Sequence, residues 1–77
     1  AWFNLGMVLF GQSQFAEAEN CFARSLELNS GDAQGWNNRG VCLWRLQRIA
    51  DARACFARAL QIDPNDADAR FNLANVN

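Results

Sequence analysis

Asn4, Asn38 and Asn72 stand 34 residues apart. A carboxamide carries both donor and acceptor, so a row of them can pair with the alternating N–H and C=O groups of an extended peptide. The same amides can equally bond within a scaffold, for instance to a neighbouring helix. Other chemistry is scarce. The chain has no His and no Tyr. No Ser stands beside a general base, and no glycine-rich phosphate loop follows a strand, so no enzymatic activity is expected. The carboxylates Glu17, Glu19, Glu27 and Asp51 are expected as solvated charge on polar helix faces. Three cysteines remain: Cys21, Cys42 and Cys55. An odd count argues against a closed disulfide framework. Without His or a CxxC pair, a zinc site lacks its ligands. Neither a metal nor a cofactor is therefore expected. The cysteines read as small apolar fillers of a reducing compartment such as the cytoplasm.

These residues are positioned by a repeat. Residues 2–34 laid over 36–68 give 13 identities in 33 positions with no gap, among them "CFARSLEL" from Cys21 and "CFARALQI" from Cys55. Chance would give roughly two, and a fixed period of this length marks a stacked architecture. Phe71, Asn72 and Leu73 begin a third copy by repeating Phe3, Asn4 and Leu5. Each unit reads as two helices joined by a short turn. Trp2, Leu5, Gly6 and Leu9 fall at helical spacing, as do Phe15, Ala18, Phe22, Ser25 and Leu26. Asp32 and Asp66 are placed to cap helix N-termini. Pro64 should stop the preceding helix, and Gly31 should allow a positive φ at the matching bend. Helices are expected near 1–11, 15–28, 33–46, 49–62 and 67–76. The units run about 1–32, 33–66 and 67–77, in one array. Equivalent cysteines of stacked units, Cys21 and Cys55, would lie roughly 8–10 Å or more apart, beyond the reach of about 7 Å that a disulfide needs.

Composition narrows the function. Hydrophobic residues make up 51% of the 77, enough to argue for a folded chain. A net charge of −1 gives no basic field for nucleic acid or an anionic membrane. No apolar run reaches the length of a membrane span. The pattern opens at Ala1 in mid-repeat with no charged leader, and reads as a piece of something longer.

Trp2, Leu5, Gly6, Ala18 and Phe22, then Trp36, Gly40, Ala52, Phe56 and Pro64, resemble the tetratricopeptide repeat, whose pattern is W-x2-L-G-x2-Y, A-x3-F, P. Leu9 and Leu43 stand where that family often has Tyr, Arg39 where it has Leu, and Ser30 where it has the first Pro. At Arg39 the stem would lie along apolar surface while the guanidinium reaches out. The resemblance implies an all-α, right-handed α-α superhelix of antiparallel pairs, here five helices. It also implies a non-catalytic scaffold that binds a peptide or partner helix on a concave face lined by the first helices.

Carried over position by position, that face comprises Phe3, Asn4, Met7 and Phe10 in unit one. Unit two gives Gln34, Asn37, Asn38, Val41, Trp44 and Arg45, and the third gives Asp68, Phe71, Asn72 and Asn75. The row of Asn looks like the asparagine ladder in the repeats of O-linked N-acetylglucosamine transferase. Some family members clamp the terminal carboxylate of heat-shock chaperones with Lys, Asn and Arg. Here those positions read Phe3, Met7, Asn38, Asp68 and Asn72, and only Asn38 matches, so no such clamp is expected. The alternative function is a structural spacer or self-association segment, with end-to-end contacts through an unclosed end. Arg70 and Asn77 hold the positions of Trp36 and Leu43 there, and Leu73 should be partly exposed. The last helix is expected to pack through Ala74 on helix 49–62.

Overall fold

A computed structural model of the chain describes residues 1–76, and the expectation for Asn77 falls outside them. The described residues form five α-helices and no strand. They are α1 (Trp2–Gly11), α2 (Phe15–Leu28), α3 (Ala33–Arg45), α4 (Ile49–Ile62) and α5 (Ala67–Val76). Each pair, α1 with α2 and α3 with α4, packs side by side, and the pairs stack through α2 on α3 and α4 on α5. This is the right-handed superhelix of antiparallel helix pairs that the repeat implied.

Packing within a pair turns on a glycine opposite a phenylalanine. A Cβ at Gly6 would come within 2.8 Å of the Phe22 ring, and one at Gly40 within 2.6 Å of the Phe56 ring. Both rings are completely buried, as are Ala18 and Ala52 on the same second helices. Packing between pairs uses a second face. From α3, Gly35 and Cys42 are buried against α2, and a Cβ on Gly35 would meet a Leu26 methyl at 3.1 Å. Their counterparts in α5 are Ala69 and Val76, both buried, with Leu73 partly buried between them against the same core as Phe56. Ala74 is exposed, contrary to the expectation that it docks α5. It occupies the position of Gly40, which faces the second helix of its own unit, and α5 has no such helix among the described residues.

Turn chemistry differs from the sequence expectation in an instructive way. No glycine has a positive φ; Ser13 (φ 61°) and Gln47 (φ 66°) do. These two residues are 34 apart and close matching Schellman ends. Gln14 N–H donates to Leu9 and Ser13 N–H to Phe10, just as Arg48 N–H donates to Leu43 and Gln47 N–H to Trp44. Gly31 instead lies in a turn closed by Asp32 N–H donating to Asn29 O, which needs no left-handed residue. Asn29 (φ −147°, ψ 81°) and Asp63 (φ −133°, ψ 92°) leave their helices alike, so Ser30 takes the place of proline without changing the exit. Of the two expected caps, Asp66 accepts from Ala69 N–H at 3.1 Å, whereas Asp32 makes no side-chain cap bond. A left-handed L-residue costs about 1–2 kcal/mol that glycine avoids. Ser13→Gly is therefore expected to raise the thermal midpoint, adding about 1 kcal/mol of stability. No change in midpoint would show that the turn carries no strain.

All three cysteines are buried free thiols. Burial pushes the Cys42 thiol from its ordinary 9.0 up to about 12, and the nearby charge of Glu19 adds to the rise. Burial likewise pushes Cys55 up to about 11, with Arg39 opposing. Neither thiol forms thiolate near neutrality, so both act as packing groups.

Candidate functional site

The first helices α1, α3 and α5 bring the asparagine row to one face. Asn38 and Asn72 are half-buried and Asn4 is exposed. Each finds a different partner. Asn72 Nδ2 donates to Asn37 Oδ1 at 2.9 Å, tying α5 to α3. Asn38 Nδ2 makes a 3.5 Å contact with the Met7 thioether, a weak acceptor. Among the described residues, no protein group pairs with the Asn4 amide. Among the described residues, the side-chain oxygens of Asn4, Asn38 and Asn72 have no protein donor. Asn37 is buried, and its oxygen is engaged by Asn72.

The apolar residues of this face divide in two. Phe3 packs on Phe22 with ring centroids 5.7 Å apart, and Phe10 meets Phe15 edge-on at 5.4 Å. Val41 and Trp44 are half-buried against the core around Phe56. Met7 and Phe71 are exposed, Phe71 by 68%. Gln34, Arg45, Asp68 and Asn75 are exposed at the surface.

A cavity of about 590 Å³ opens between α3 and α5, lined by Val41, Trp44, Arg45, Gln47 and Asn72. Four of these five are positions that the family resemblance implied for the groove. Gln47 is additional; it is carried into the wall by the left-handed turn after α3, a geometry no sequence pattern marked. Arg45 lies over the Phe15 ring at 5.7 Å. Among the described residues no carboxylate pairs with it.

A second cavity, of about 360 Å³, lies between α3 and α4 and is lined by Trp36, Arg39, Leu43, Asp51 and Arg58 among others. Trp36 is fixed there by donating Nε1–H to Ser30 O, with Arg58 over its ring at 6.0 Å. The pair Trp2 and Arg24 repeats this stack at 5.1 Å, which marks it as part of the repeating framework. Arg39 is partly exposed, with its guanidinium turned to the neighbouring unit rather than straight out. It pairs with Glu19 of α2 at 2.9 Å, and Glu19 is buried rather than solvated. The two residues meet because the position that in α3 faces the preceding unit carries Arg instead of an apolar group.

Stacked antiparallel helix pairs, with ring-into-glycine packing and a face of first helices bearing amides, define an α-helical repeat scaffold. The chain belongs to the tetratricopeptide repeat family, whose model matches residues 3–67 and 43–77. Among solved structures, it is similar to the first such domain of Spaghetti (RPAP3) bound to the HSP90 peptide SRMEEVD. There the TM-score is 0.94 and the identity 25%, over 97% of this chain and 60% of that one. It is also similar to the TPR2B domain of yeast Sti1 in its complex with pHsp70. The TM-score is 0.90 and the identity 27%, over 92% of this chain and 57% of that one. The chain thus spans about three fifths of the length of these structures. None of the curated proteins matches it.

Proposed function

We propose that this chain is a non-catalytic scaffold whose concave face binds an extended peptide segment of a protein partner. The observation that carries the reading is the state of the asparagine row. Among the described residues its side-chain oxygens have no donor, and at Asn38 the donor holds only a thioether. Such groups can take the N–H and C=O of a peptide backbone with little rearrangement, and the flanking half-buried Val41 and Trp44 offer apolar contact area. One of the similar structures holds an HSP90 peptide and the other is a complex with pHsp70, which supports binding of a protein partner's segment as the use of the fold. The chaperone carboxylate clamp itself is not part of the proposal, since Phe3, Met7, Asp68 and Asn72 replace four of its five positions. The buried free thiols fit a reducing compartment.

Asn38→Ala tests the reading, because the side chain is half-buried yet makes no strong internal bond. Peptides selected from an end-blocked random library should bind the variant about 1–2 kcal/mol more weakly by titration calorimetry. The far-UV circular dichroism should be unchanged. Equal affinity for both proteins would remove the row from the binding site.

A further inference from the structure

A groove residue that breaks the 34-residue period is a feature the repeat itself does not supply. Arg45 is the most pronounced break at the groove. Its counterpart in the first unit is Gly11, which has no side chain at all. Arg45 is exposed, and its guanidinium lies 5.7 Å from the Phe15 ring centroid. Arg39 and Arg48 each hold a carboxylate, Glu19 and Asp51, at 2.9 and 2.8 Å. No carboxylate pairs with Arg45 among the described residues. Its charge faces the 590 Å³ cavity, whose remaining walls are apolar at Val41 and Trp44 and neutral-polar at Gln47 and Asn72.

An apolar wall with a cation at its rim that holds no carboxylate among the described residues suits a side chain with a hydrocarbon stem and an anionic tip. Asn38 and Arg45 are seven residues apart on α3, about 10 Å along the axis. A guanidinium and a glutamate side chain can close that gap from both sides. We infer that the cavity takes an acidic side chain, glutamate in preference to aspartate, of the peptide held by the asparagine row, with Arg45 as its counter-ion. This rests on the concave-face reading and adds what that face selects.

The probe is a random decapeptide library, acetylated and amidated at its ends so that no terminal carboxylate is present. It is selected in parallel on the wild-type chain, Arg45→Gln and Arg45→Glu. The wild type should enrich glutamate at one fixed position. Arg45→Gln should lose that enrichment by about tenfold while keeping its apolar preferences, as expected for removal of one charge-assisted contact. Arg45→Glu should enrich Lys or Arg at the same position. Because Arg45 is exposed, both variants should retain the wild-type helix content. Glutamate enrichment that persists in both variants, or wild-type peptides without acidic preference, overturns the role of Arg45 and leaves the concave-face reading standing. Selection of no peptide by the wild type overturns both.

Discussion

Phe56→Ala should lower the stability of the chain by about 4 kcal/mol, the usual cost of emptying a large aromatic site. The ring is wholly buried and belongs to the core shared by α3, α4 and α5. A chain of this size has roughly 4–12 kcal/mol in total, so the variant should lose about a third of its stability or more. The cause can be isolated through the glycine opposite. Gly40→Ala puts a methyl 2.6 Å from the Phe56 ring, and overpacking should cost about 2 kcal/mol. Combined with Phe56→Ala, that methyl enters the vacated space, and the double variant should be more stable than the sum of the two losses. Gly11→Ala, with nothing within 4 Å of the added carbon, should cost nothing. Urea denaturation followed by circular dichroism measures all four. Strict additivity of Gly40→Ala and Phe56→Ala would refute the ring-into-glycine contact.

Removing one member of the Glu19–Arg39 pair should also have a large effect. The side chains are exposed by only 11% and 29%, and the ions are held at 2.9 Å. Arg39→Leu installs the apolar residue common in the family and leaves Glu19 as an unpaired buried carboxylate. A fully buried pair loses about 3–5 kcal/mol when one partner goes, and the partial exposure here reduces that to about 2 kcal/mol. Glu19→Leu alone costs less, since the guanidinium can turn to water along its stem. The double variant Glu19→Leu/Arg39→Leu should be as stable as the wild type or more so, because two desolvation costs vanish together. A double-mutant cycle with no coupling would show that the pair is an exposed contact of little consequence. The third unit already carries the apolar solution: Leu73 stands where Arg39 does and packs on the core.

Much of the fold could be read from the chain because its signals are local or strictly periodic. Helix periodicity, the Gln-Ser-Gln turn and the 34-residue recurrence of Gly and Phe each act within one unit, and the helices occupy the spans they imply. The period showed that Asn4, Asn38 and Asn72 recur, and the family resemblance implied the face they share. What each amide does there was open until the helices were stacked. Asn72 reaches Asn37 across 35 residues and Asn38 reaches Met7 across 31, distances over which no local pattern operates. Glu19 falls under the same limit. Its charge suggests solvent, yet it is buried because Arg39 of the next unit lies against it, and burial depends on the neighbour rather than on the residue. Gly31 and Gln47 show the converse at a turn. Composition marked the glycine for a left-handed residue, but the helix ends place that conformation at Ser13 and Gln47. Sequence therefore determined the units and their period, through short-range propensity and patterning. Tertiary structure alone decided which polar groups meet between units and which keep no partner among the described residues, because that outcome is set by the relative placement of helices distant in the chain.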